Sequence, residues 1–357
     1  MASTVTEQTA VEEIGPGQFR SKFNPGRMGN AKAIAYGGCT LGVAVRAACM
    51  AAVPPHHRLY SVVGHYLGPA STTEKLVCIV HDTRTTKSFS TRRVVVQQAQ
   101  PNSGSGSGSS AGETPMRTCM ELIADFHAEE PAAPGMTYSA APSQAYAGPG
   151  NQSETPAVLR TTVLSPAEAK AVERARDVFA LNERFLDTRP CREGVAAQNL
   201  NGVLAGRPTT QDARALADRT SAEWVRHKKP SPSTTTSSTS SLLLESPADQ
   251  AAALAFCLDG GLSFLPLTLD GRWLGDVAAC SSLDFALRLL TARPDFNKWH
   301  LRERRTVAGG AGRTYSEARL WDGEGDWWRL CRSSRLCGRR WRRRRGKGRG
   351  CESPCGV

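Results

Sequence analysis

Two blocks of the chain repeat one hydrophobic plan. The first opens with GGCTLGVAVRAACMAAV (37–53), small and apolar with a single charge, which predicts a buried helix stopping at Pro54-Pro55. Behind it LYSVVGHYL (59–67), KLVCIVHDTR (75–84) and SFSTRRVVVQQAQ (88–100) read as strands, and CMELIADFHA (119–128) resumes the period-2 alternation. The second block has SPADQAAALAFCLDGGLSFL (246–265), with Ser246, Pro247 and Asp249 at N-cap, N1 and N3 and a helix end marked by Gly260-Gly261. SSLDFALRLL (281–290), KWHLRERRTVA (298–308) and GRTYSEARLWD (312–322) follow as strands. A separate helix over 165–181 carries the same start signal in Ser165, Pro166 and Glu168. One buried helix followed by antiparallel strands thus occurs twice, a weak internal repeat of an α+β unit.

Three stretches break the pattern. The Gly/Ser run 101–115 reads as a flexible insert at a hairpin tip, because loop tips tolerate insertion. Segment 129–156 is Pro/Gly-rich without an apolar period, and 228–241 is too polar to bury enough surface to stay ordered. The expected organisation is a disordered N-terminus (1–14), a first domain (15–130), a linker (131–160), a second domain (161–325) and a tail (326–357).

Composition narrows the function classes. No run of about 18 apolar residues is present, so no membrane span is expected. The polar, acidic start MASTVTEQTAVEEIG fits neither a secretory signal nor a transit peptide, and no C-terminal address can be read; the expected location is intracellular, cytoplasmic or peroxisomal. The net charge of +12 invites a nucleic-acid reading, but eleven Lys/Arg against two acids in 326–357 account for +9 of it. The remaining +3 needs no basic groove. Eleven cysteines without a disulfide rhythm suit reduced thiols, and neither they nor His56, His57 and His65 show metal-site spacing. No metal or cofactor is expected.

Several segments together resemble the acyl-CoA thioesterase II family. They are YGG (36–38), VPPHHRLYSVVGHYLGP (53–69), DTRTTKSFSTRRVVVQQ (82–98), FLDTRPC (185–191), LDGGLSFLPL (258–267), CSSLDFALRLL (280–290) and WHLRERRTVAGGAGRTYSEARLWDGEG (299–325). The resemblance implies a double hotdog, with two antiparallel sheets each wrapped on a central helix. It also implies hydrolysis of fatty acyl-CoA to free acid and coenzyme A, a role in fatty acid metabolism. The nucleophile would be a water held by an Asp of the second central helix, a Ser or Thr, and a Gln on the last strand. Asp259 matches the Asp, although many members place it two residues nearer the equivalent of Phe264; Ser282 matches the hydroxyl. By residue type alone, Asp259 reads as a polar helix-end residue and Ser282 as a capping hydroxyl.

A carboxylate beside bound water can take its proton, and a hydroxyl can orient that water. Gly37 and Gly38, heading the first helix, would offer backbone amides to the developing oxyanion. Arg92 and Arg313 are candidates for the CoA phosphates, although arginines on strand faces are usually just solvated. Where the family often has Arg in the YLGP motif, this chain has Gly68. Homo-oligomerisation is left open.

After Gly325 the resemblance stops, and DWWRLCRSSRLCGRRWRRRRGKGRG follows where the family has its Gln-bearing strand. Trp has a single codon, so reading from the third base of the Asp326 codon turns Asp326-Trp327-Trp328 into Leu-Val, and the next seven codons permit A-A-M-S-Q-Q-S. The tail is therefore read as out of frame, with the Gln position near Arg332 and Ser333. As written, the chain is expected to lack its terminal strand, leaving an unpaired edge. The rival reading takes the basic tail at face value as a phosphate-binding segment. A second rival is a catalytically inactive acyl-CoA binder.

Overall fold

The alternating runs become strands that pair in antiparallel fashion throughout. The structure is a computed structural model; it describes residues 1–29, 32–51, 53–100, 115–129, 138–229, 243–322 and, for the backbone, 327–337. The first half comprises α1 (Val5–Gln8), β1 (Val11–Gly15), β2 (Gln18–Ser21), α2 (Gly37–Met50), β3 (His57–Tyr66), β4 (Val77–Thr85), β5 (Phe89–Ala99) and β6 (Met116–Ala128). Short α3 (Ala157–Thr161) and the outer helix α4 (Pro166–Phe185) lead into the second half. That half holds β7 (Leu186–Pro190), α5 (Val195–Asn199), β8 (Thr220–His227), α6 (Pro247–Leu258), α7 (Leu265–Leu269), β9 (Ala279–Arg288), β10 (His300–Gly310), β11 (Arg313–Asp322) and β12 (Trp327–Cys337).

The repeat is far closer than the sequence suggested. From the central joint outward, the first half runs β3-β6-β5-β4-β2-β1 and the second β9-β12-β11-β10-β8-β7, the same arrangement strand for strand. The two six-stranded sheets meet edge to edge where β3 pairs with β9, making one twelve-stranded sheet. Inward residues such as Val62, Val94, Leu122, Phe285 and Leu287 are fully or nearly fully buried and pack with α2 and α6 into one core.

Both central helices follow their sequence signals. Each is apolar on nearly every side, as a helix buried between a sheet and another helix must be. α6 starts with a complete capping box, Ser246 with Asp249, and Pro247 in the first turn. It ends at Asp259 just before Gly260-Gly261, where Gly261 takes a left-handed φ of +86°. The helices run antiparallel. Arg46, late in α2, pairs with Asp249 at the start of α6, while Gly37 at the start of α2 lies against Asp259 at the end of α6.

Three expectations are corrected. Residues 1–14 are not disordered: Thr4 caps α1, Val5 and Val11 are buried, and β1 forms the sheet's edge through a hairpin with β2. Part of the linker is a packed strap. Ser143 and Tyr146 bind the buried Glu303 of β10, and the indoles of Trp224 and Trp321 donate to the carbonyls of Ala147 and Ala140 at 2.8 and 3.0 Å. The strap explains why β10, unlike an ordinary half-solvated strand, is buried on both faces from His300 to Arg304. Finally, the tail does not leave an unpaired edge, because Trp327–Cys337 fills the slot between β9 and β11.

Gln100 N–H donates to the Pro115 carbonyl at 2.9 Å, so the β5–β6 hairpin is closed at the base of the expected insert. Residues 101–114, most of the 228–241 tract, and 338–357 lie outside the described residues. Among the described residues, no helix is long and apolar enough to cross a membrane.

Candidate active site

Asp259 stands at the C-terminal end of α6 with only 6% of its surface exposed. Burying a carboxylate is costly unless it is hydrogen-bonded, and here Tyr66 of β3 donates its hydroxyl to Oδ1 at 2.7 Å. The other oxygen turns toward the start of α2: a Cβ at Gly37 would lie 2.9 Å from Oδ2 and 3.0 Å from the Tyr66 hydroxyl. Only glycine leaves that space. Tyr36, the N-cap of α2, makes no side-chain capping bond, and its hydroxyl instead donates to the Phe256 carbonyl of α6 at 2.7 Å. The amide end of α2, with its partial positive charge, is thus held beside Asp259. Gly38 packs against the Tyr36 ring and the Phe256 carbonyl.

The turn carrying Asp259 is pinned from the sheet. Arg302 of β10 donates to the Cys257 carbonyl at 2.6 Å, the C-terminal end of α6 where a cation is favoured. Arg302 and Arg304 share the Glu223 carboxylate of β8, and Arg304 packs under Gly261. Burial alone would raise the Glu223 carboxyl, but the two guanidiniums more than offset it and hold it below the ordinary carboxylate range. Cys39, in the first turn of α2, has its thiol pushed up to about 12 by burial, with the Asp259 charge adding to the effect. It stays a neutral thiol at physiological pH and is no nucleophile.

Ser282 lies on β9, three residues before the inward Phe285, a spacing that would turn it outward in a regular strand. A bulge at this point changes that. Phe285 pairs with Arg332 and Ser282 with Ser334, only two residues further along β12, so Ser282 returns to the inward face. The Phe285 ring sits opposite Gly64, whose missing side chain makes room for it, and contacts the Tyr66 ring at 5.4 Å. Asp259, Tyr66 and Phe285 are thereby connected, and Ser282 lies on the same strand as Phe285.

The two arginine candidates part company. Arg313 is exposed at the start of β11 and, through Arg335, stands in register with Ser281, at the Ser282 end of the sheet. Arg92 is 98% buried at the other end of α2, where it pairs with Asp82 and donates to the Ala51, Arg84 and Thr91 carbonyls. As placed, it is a structural cation. His57 is buried between Ser90 and the Lys87 carbonyl, and among the described residues no group of three or more His, Cys, Asp or Glu is placed to hold a metal.

Sequence reading missed Tyr66 and Arg302. The alternation of β3 puts Val62, Gly64 and Tyr66 on one face, and that of β10 puts Arg302 and Arg304 on another. Polar residues at core positions were the available signal.

Two helix-wrapping sheets joined in one chain, with a buried carboxylate where the helices meet, define a double-hotdog protein. Residues 24–127 match the acyl-CoA thioesterase N-terminal domain and residues 187–332 the acyl-CoA thioesterase C-terminal domain. The chain belongs to the acyl-CoA thioesterase family. Its fold is similar to that of the acyl-CoA thioesterase II TesB2 from Mycobacterium marinum, at TM-score 0.57 and 18% identity over 94% of this chain and 99% of that one. It is also similar to the tesB protein of Mycobacterium avium subs paratuberculosis, at TM-score 0.59 and 13% identity over 93% and 98% of the two chains. A hot dog fold protein of unknown function from Alicyclobacillus acidocaldarius aligns at TM-score 0.59 and 14% identity over 94% and 98%. No curated protein matches the sequence.

Proposed function

We propose that the chain hydrolyses fatty acyl-CoA thioesters at Asp259. The observation that carries this is the buried Asp259 carboxylate, held by Tyr66 beside the amide end of α2. A water between Asp259 and Ser282 attacks the thioester carbonyl carbon while its proton passes to Asp259. The amides of Gly37 and Gly38 receive the oxyanion. The C–S bond then breaks, and the departing CoA thiolate takes the proton from Asp259, leaving free acid and CoA. Exposed Arg313, at the Ser282 end of the sheet, is the contact proposed for the CoA phosphates; Arg92 is left out of this role.

The strand that carries Gln in the resembling family reads WWRLCRSSRLC here, with Arg332 opposite Phe285 and Ser334 opposite Ser282. This supports slow turnover for the chain as written, and a second reading as an acyl-CoA binder that has lost catalysis. Release of free thiol from acyl-CoA supports the enzyme. Thermal stabilisation by acyl-CoA without thiol release supports the binder. We read the departure as a one-base shift near codon 326; a cDNA read across codons 320 to 340 that leaves the frame unchanged refutes it.

A further inference from the structure

We infer that Tyr66, contributed by the first half, is the positioning residue that orients the Asp259 carboxylate of the second half; this rests on Asp259 acting as the base. The Tyr66 hydroxyl donates to Oδ1 at 2.7 Å, so the oxygen turned toward Gly37 and the amide end of α2 is Oδ2. An aspartate rotates broadly about its last torsion, and a base must present one oxygen within about 3 Å of the proton it takes. The phenol removes that freedom.

Tyr66 is itself held on both sides of the joint. It ends β3, the strand that pairs with β9, and its ring meets Phe285 edge-on at 5.4 Å. Phe285 can lean there because its cross-strand partner is Gly64, where a Cβ would lie 2.7 Å from the ring. The order Gly64, Phe285, Tyr66, Asp259 crosses the boundary at each of its three steps, so the orientation of the base depends on the two halves being docked in this register.

The test is Tyr66→Phe in the full chain, which removes one oxygen atom and keeps the ring contact. Two readouts are taken: kcat and KM for thiol release from a long-chain acyl-CoA, and the Asp259 carboxylate stretch in the infrared, isolated as the wild-type minus Asp259→Asn difference spectrum. The expected result is a fall in kcat of about 10- to 100-fold with KM nearly unchanged, together with a displaced carboxylate band. A variant with unchanged kcat, or an unmoved band, overturns the inference. If the wild-type chain releases no thiol, the hydrolytic reading fails by itself; the infrared band then decides the role of Tyr66, displacement supporting it and an unmoved band refuting it.

Discussion

At the scale of single residues, the site depends on a glycine as much as on its acid. Gly37 leaves the room that the Asp259 carboxylate and the Tyr66 hydroxyl occupy, since a Cβ would come within 2.9 and 3.0 Å of them. In an exposed helix, Gly→Ala stabilises by about 0.5–1 kcal/mol. Gly37→Ala is therefore expected to leave the melting temperature nearly unchanged while thiol release falls; unimpaired turnover would show that the close approach is immaterial. The Arg302–Glu223 pair behaves differently. Both groups are largely buried, at 2% and 13% side-chain exposure, so Arg302→Met leaves the buried carboxylate with Arg304 alone and should cost about 3 kcal/mol in chemical denaturation. Asp259 and Ser282 were candidates on the strength of their flanking strings. Their partners were not, because Tyr66 lies 193 positions from Asp259 in sequence and only the docking of the halves brings them together.

At the scale of elements, runs with a clear period were legible and short or interrupted ones were not. Helices α2 and α6 and strands β3 to β6 and β9 to β11 follow from apolar periodicity, capping boxes and proline stops. β1, β2 and β7 are four or five residues long, too short to show a period of two, and they owe their form to an existing sheet edge. The strap 138–152 has no period because it uses isolated side chains, Ser143 and Tyr146 on Glu303, to cover a second apolar cluster. Tyr146→Phe removes one bond to that buried carboxylate and should lower stability by about 1–3 kcal/mol, with faster amide exchange in the strap than elsewhere. β12 shows the reverse case, an arginine-rich string occupying a strand slot because β9 and β11 both offer a full edge of backbone groups. Truncation before Trp327 should expose those edges and produce aggregation visible by gel filtration. A monodisperse product would mean that β12 contributes little.

At the scale of the whole molecule, the repeat makes the two halves one sheet and places a single candidate base where α6 ends against α2. The α+β class was legible because the helix-then-strands order occurs twice, and the double hotdog followed from the resemblance to the thioesterase family; the continuous sheet was not legible, since edge pairing between β3 and β9 leaves no mark on composition. Buried ionisable groups also make the molecule sensitive to acid. Burial lowers His227 and His300 from 6.5, so each binds protons more readily unfolded than folded. Their contribution is complete above about pH 6.5 and is lost as pH falls below it. Glu223 and Asp249, held low despite burial by Arg302 with Arg304 and by Ser246 with Arg46, lose theirs as pH drops through the carboxylate range. Denaturant midpoints should thus fall in two stages from pH 7 to pH 3. A flat profile would mean that these groups are solvated.

The role of Asp259 is decided by comparing thiol release from acyl-CoA by the wild-type chain and by Asp259→Asn, with circular dichroism confirming that both are folded. Slow release by the wild type and a loss of about 100-fold or more in the variant are expected. Equal release by the two proteins would contradict this and remove Asp259 from the chemistry.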